Sequence, residues 1–172
     1  MKTFYTSDTH FCHQNIIKFC KRPYENTDDM DIDLINRWNS KVGIDDTVYF
    51  LGDFAMKYKV SRLREIFNEL NGKKHLIKGN HDHKDVYTLD WETQHDLLTV
   101  NDSGYKIVLC HYPMRDWNGK YHNAYHFYGH THGTIPNLPR AADVGMDSWN
   151  WYPTTFAEVH ARLKEQFKDN EV

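Results

Sequence analysis

No apolar run in the chain approaches the ~20 residues that a membrane-spanning helix needs. Its 172 residues contain no repeat, no low-complexity tract and no linker-like stretch, so one domain over residues 1–172 is expected. No signal segment is expected ahead of the first strand, because Met1-Lys2-Thr3-Phe4 leads straight into it. The formal charge is only -3, which gives no support for bulk attraction to membranes or tight duplex nucleic acid. Cys12, Cys20 and Cys110 are an odd number without disulfide or zinc-finger spacing. They fit a reduced, cytoplasmic setting.

Histidine is plentiful, with 12 in the chain, and many stand where an apolar run stops. Thr3-Phe4-Tyr5-Thr6-Ser7 runs into Asp8-Thr9-His10, and Val48-Tyr49-Phe50-Leu51 into Gly52-Asp53. Leu76-Ile77-Lys78 runs into Gly79-Asn80-His81-Asp82, and Ile107-Val108-Leu109-Cys110 into His111. Tyr125-His126-Phe127-Tyr128 runs into Gly129-His130-Thr131-His132. Each run predicts a buried strand. In open α/β sheets ligands gather at the carboxyl ends of strands, so five strand ends are expected to aim at one place.

Between them, Met30, Leu34, Ile35, Trp38 and Val42 have helical spacing over Asp28–Val42. Val60, Leu63, Ile66, Phe67 and Leu70 predict a second helix, ending near Asn71-Gly72. Leu97–Val100 and Tyr105–Cys110 predict a hairpin around a four-residue turn, Asn101–Gly104. Thr155-Phe156-Ala157-Glu158 reads as a capping box for a last helix with the face Phe156, Val159, Leu163 and Phe167. Asp169–Val172 is expected to fray. Pro113–Asn123 and Gly133–Arg140 read as loops beside the site. The whole is a layered α/β fold.

Asp8, His10, Asp53, Asn80, His111, His130 and His132 are seven candidate metal ligands. If Asp53 bridges, they divide into two groups of four. Mixed carboxylate and imidazole donors suit two divalent transition-metal ions, manganese first, with iron, zinc, nickel or cobalt as alternatives, rather than calcium. Alone, each residue has an ordinary reading: an Asp after a strand is a turn or cap residue, and a His on a strand is a core residue. Their recurrence at five strand ends carries the inference. Two such ions can activate water and clamp both oxygens of an in-line phosphoryl displacement.

These blocks resemble the five signature blocks of the calcineurin-like metallophosphoesterases, in family order, from Asp8 to His132. The stretch Asp8–Ile17 and the run Val144-Gly145-Met146-Asp147-Ser148-Trp149 further resemble small bacterial and phage-type members. The resemblance implies a four-layer α-β-β-α sandwich with two mixed sheets. It implies one metal held by Asp8, His10, Asp53 and His132, and a second held by Asp53, Asn80, His111 and His130, with a bridging hydroxide. It makes His81 a phosphate contact or proton donor to the leaving oxygen, oriented by Asp82. The expected activity is phosphoester hydrolysis of a phosphodiester or nucleotide. The alternatives are a phosphomonoester or phosphoprotein, a nucleic-acid end or cyclic phosphate, and a non-catalytic scaffold.

Some candidates are weaker. His13 reads as a phosphate contact or a solvated helix start. Arg115 reads as a bidentate phosphate clamp or a partner of Asp116. Lys18, Lys21 and Arg22 read as a steering group or a solvated helix face. Trp117, Trp149, Trp151 and Tyr152 stack a nucleobase or fill the core. His126 reads as structural.

Overall fold

A computed structural model of the chain describes residues 1–167, and in it all five apolar runs are strands. The chain opens with β1 (Thr3–Thr6), the short helix α1 (Gln14–Phe19) and the long helix α2 (Thr27–Lys41). It continues through β2 (Thr47–Phe50), α3 (Val60–Glu69), β3 (Lys73–Ile77) and β4 (Thr93–His95). The second half is β5 (Leu97–Asp102), β6 (Tyr105–Cys110), β7 (Tyr125–Tyr128), β8 (Ala141–Asp143), β9 (Thr154–Thr155) and α4 (Phe156–Gln166).

The strands form two mixed sheets flanked by helices. One has the order β4-β3-β2-β1-β9 and the other β5-β6-β7-β8. β1, β2, β3 and β4 pair in parallel, with β9 antiparallel at the edge. β6, β7 and β8 are likewise parallel, and β5 is antiparallel to β6.

Strand alternation splits the core. Phe4, Val48, Phe50 and Leu76 face one way, against Met30, Leu34, Trp38, Leu63 and Ile66 of the first helices. Tyr5, Leu51 and Ile77 face the other way, against Ile107, Leu109, Tyr125 and Phe127 of the second sheet. Phe156, Val159 and Leu163 of α4 join this inter-sheet layer, with Phe167 packed against it. The outer face of the second sheet, Val108, Tyr128 and Ala141, is covered by Trp117 of the Pro113–Asn123 loop and by Ala124 just after it.

The capping box forms as expected: Thr155 accepts from the Glu158 amide while Glu158 accepts from the Thr155 amide. Other expectations need correcting. The hairpin turn has two residues, Ser103 and Gly104, both at positive φ, because Asn101 and Asp102 pair with Lys106 and Tyr105. Val60 opens α3 but is 44% exposed, a first-turn residue outside the apolar face. β4, β8 and β9 are too short to show a period in the sequence. Asp169–Val172 lies outside the described residues. No helix among the described residues is long and apolar enough to cross a membrane.

Lys74 roots β3 against α3, where its ammonium lies over the Phe67 ring and donates to the carbonyls of Leu70 and Gly72. Burial lowers its pKa to about 8 from the ordinary 10.5. Between those values the unfolded chain holds the extra proton, so this group makes stability rise with pH across that window. Lys74→Met should remove that component. The denaturant midpoint of wild type should therefore rise relative to that of the variant between about pH 8 and 10.5, and a difference constant with pH would contradict the assignment.

Candidate metal centre

The two sheets meet at their carboxyl ends. A parallel bridge joins Ser7, just past β1, to Gly145, just past β8. The loop after β1 runs beside the loop after β2, with the amides of Asp8, His10 and Phe11 donating to the carbonyls of Gly52, Asp53 and Phe54. The ligand-type residues from β1, β2, β3, β6 and β7 converge at this seam.

The backbone there is unusual. Asp8, His10, Asp53, His130 and His132 all have positive φ, between 48° and 67°. For side-chain-bearing residues this conformation is disfavoured and gathers at functional sites. The turns that aim these side chains leave little room. A Cβ on Gly79 would strike the Asp53 side chain and amide, and one on Gly129 would strike Ser7 and Asp8. Glycine at these two positions lets the strand ends approach.

Two groups result. Asp8, His10 and His132 bring ligand atoms together on one side, and Asp53, His111 and His130 on the other. Asp53 lies between them. Its Oδ2 is 3.6 Å from His10 Nε2 and 3.5 Å from His111 Nε2, while its Oδ1 accepts from the His81 amide at 2.8 Å. Asn80 joins the second group, with Oδ1 2.9 Å from His111 Nε2.

Hydrogen bonds orient two of the rings. His111 Nδ1 lies 2.6 Å from the Leu51 carbonyl, which can only accept, so Nδ1 carries the proton. His111 Nε2 then points toward Asn80 and Asp53. His132 Nδ1 faces Asp147 Oδ2 at 2.8 Å, and its Nε2 lies 4.0 Å from Asp8 Oδ1. A proton held on the far nitrogen is the usual arrangement of a metal-ligating histidine.

Burial works against charge at the first group. It raises the Asp8 pKa to about 8 and lowers that of His10 to about 2. On His132 burial is outweighed by the hydrogen bond to Asp147, raising its pKa to about 10. Asp8 Oδ2 accepts from Ser7 Oγ and from the His130 amide. Its Oδ1 and both ring nitrogens of His10 are buried without a protein partner. Buried polar atoms are rarely left so, and carboxylate and imidazole lone pairs facing a common point fit a divalent cation.

Arg22 and Asp147 are the supports that the sequence did not reveal. Arg22 is buried rather than on a solvated helix face. It grips Asp147 through Nε at 2.9 Å and NH2 at 2.8 Å. It also donates to the carbonyls of Thr9 and Asp8, both at 2.7 Å. One guanidinium thus ties the His132 partner to the strained turn that carries Asp8 and His10. These residues are 125 positions apart, so no local pattern announces the pair. Cys20, to which the sequence assigns no place at the site, lies beside His132 and Asp147.

Asp82 has a different task from the one expected. It does not orient the His81 ring. Its carboxylate accepts from the amides of Asp53, Phe54 and Gly79 at 3.1, 2.9 and 2.8 Å, pinning the β2 and β3 turns together. His81 itself is exposed in the cleft above the centre, its ring 5.7 Å from that of His10. His13 lines the same cleft. Arg115 is not brought in. It is exposed, and among the described residues its guanidinium pairs with neither a site residue nor Asp116. Trp117, Trp149, Trp151 and Tyr152 also stay outside the cleft, packed in the fold or against Arg37 and Arg162. His126 is structural: Nδ1 donates to the Val108 carbonyl and Nε2 accepts from the Met114 amide.

A sequence model described as the calcineurin-like phosphoesterase superfamily domain matches residues 1–137. The chain belongs to that superfamily. An uncharacterized protein of Methanocaldococcus jannaschii is 37% identical over 97% of this chain and 93% of its own length. The gene 66 protein of Mycobacterium phage L5 is 25% identical over 86% of this chain and 87% of its own. Among solved structures, an Aquifex aeolicus protein of unknown function superposes with a TM-score of 0.77 at 22% identity, covering 93% of this chain and 98% of that one. An archaeal phosphodiesterase superposes with a TM-score of 0.52 at 20% identity, covering 84% and 82%. Both superpositions speak to the fold, and the superfamily's two-sheet arrangement is the one seen.

Arg22→Ala would strand the Asp147 carboxylate and two carbonyls. Breaking a buried pair from one side costs about 3–5 kcal/mol, and urea unfolding should show a loss of that size. A loss below about 1 kcal/mol would mean that Arg22 braces nothing.

Proposed function

We propose that the chain is a dinuclear metal-dependent phosphoesterase, with residues 1–172 acting as one domain in a reduced, cytoplasmic setting. The observation that carries this reading is Asp53 Oδ2, poised between His10 Nε2 and His111 Nε2 at nearly equal distances. Asp8, His10, Asp53 and His132 would hold one cation, and Asp53, Asn80, His111 and His130 the other. Manganese is our first choice, with iron, zinc, nickel or cobalt as alternatives. Bound there, divalent cations lower the pKa of water and neutralise phosphate charge.

The chain's own residues do the rest. The Leu51 carbonyl and Asp147 anchor the far nitrogens of His111 and His132, so that both Nε2 atoms point inward. Asp82 and Arg22 keep the ligand-bearing turns from relaxing, so little reorganisation is needed on binding. His81 is placed by its backbone, since its amide is tied to Asp53. Its imidazole stands in the cleft, where it can hand a proton to the departing oxygen.

The substrate is proposed to be a phosphodiester or nucleotide, because the cleft continues past the histidines along Ile16, Phe19 and Met56. A phosphomonoester is the alternative. A non-catalytic scaffold fits less well, since every ligand type and His81 are present.

Chelator-stripped protein supplemented with manganese, nickel, zinc or magnesium should hydrolyse bis-p-nitrophenyl phosphate faster than p-nitrophenyl phosphate. Turnover of the monoester alone would reverse the substrate preference, and turnover of neither with any cation would count against the reading. His81→Ala should slow esters with poor leaving groups by about 10²–10⁴-fold, the usual range for a proton donor, and esters of nitrophenol far less. Equal slowing of both would make His81 a phosphate contact instead.

A further inference from the structure

The cleft beside the centre has a volume of about 670 Å³, within the range of small-molecule sites and more than a phosphate group needs. Its floor carries His10, His81, His130 and His132. One wall is built from α1 and the segment after β2: His13, Asn15, Ile16 and Phe19, with Met56 and Lys57. We propose that this wall is a nucleoside subsite, with Phe19 as the face on which a nucleobase stacks. The proposal rests on the phosphoesterase reading and names the substrate class of that same site.

Phe19 is 74% exposed, whereas Ile16 and Ile17 of the same helix are buried. A phenyl ring left in water at the lip of a reaction site offers a flat surface that stacking would cover. The aromatics that sequence alone nominated for this task lie elsewhere, so Phe19 is the phenyl ring that the cleft presents. Around it stand groups that suit the rest of a nucleotide. Asn15 is exposed, and its amide makes no hydrogen bond among the described residues. Lys57 is exposed and pairs with no carboxylate among the described residues. It sits at φ 59°, a conformation that costs a residue with a side chain. His13 is only 7% exposed and its Nδ1 has no protein partner. A flat apolar face, an amide with both donors and acceptor, an unused imidazole nitrogen and a free ammonium describe a base, a sugar and a phosphate better than an alkyl chain or a peptide.

The test compares two esters with the same leaving group, thymidine 5′-(p-nitrophenyl phosphate) and methyl p-nitrophenyl phosphate. Wild type should prefer the thymidine ester. Phe19→Ala should lower the ratio of the two kcat/KM values by about tenfold, within the range for loss of one base–aromatic stack, through KM of the thymidine ester. An unchanged ratio would overturn the proposal. If wild type turns over neither ester, the phosphoesterase reading fails, and the subsite is judged by calorimetry with thymidine monophosphate. Binding weakened about tenfold by Phe19→Ala would support the stack, and binding that is absent or insensitive to the change would refute it.

Discussion

Two buried carboxylates, Asp8 and Asp53, stand at the ends of adjacent parallel strands with imidazoles on either side. Burying negative charge is costly unless something compensates it, and the rest of the molecule is arranged around that problem. Ser7 and the His130 amide satisfy one oxygen of Asp8, and the His81 amide satisfies one of Asp53. The remaining oxygens face histidine ring nitrogens. A set with so many ligand atoms turned to one place fits positive charge at its centre.

Holding that set requires the backbone to do what it otherwise avoids. Five ligand-type residues sit at positive φ, and the fold keeps them there by cross-bracing. Asp82 ties the turns after β2 and β3 from below. Arg22 ties the turn after β1 to Asp147, and through it to His132. The two sheets therefore act as a frame. Each contributes parallel strands that end at the seam, and neither supplies a complete ligand group alone. The inter-sheet layer of Tyr5, Leu51, Ile77, Leu109 and Phe127 sets the spacing between the two halves.

The sequence showed much of this because strands buried on both faces make continuous apolar runs, and each run stopped on a ligand-type residue. Long helices showed through their period, and α4 through its cap. What failed to show has physical causes. β8 and β9 have three and two residues and no alternation to detect. The hairpin turn read as too long because Asn101 and Asp102 are turn formers by composition, yet here they pair across the strands. Asp82 follows His81 in sequence, which suggested a side-chain partnership, but its carboxylate turns back to the backbone. Arg22 sits among lysines and read as solvated, because its carboxylate partner is remote in the chain. Phe19 gave no signal, since an exposed phenylalanine is unremarkable until the cleft beside it is known.

The central claim is that Asp53 joins two cation sites, and metal content tests it most directly. Protein stripped with chelator, re-equilibrated with manganese and freed of excess should contain two ions per chain by mass spectrometry of the metal. Asp53→Asn, prepared in the same way and still folded, should lose both. One ion per chain in wild type, or an Asp53→Asn variant that retains two, would contradict the account.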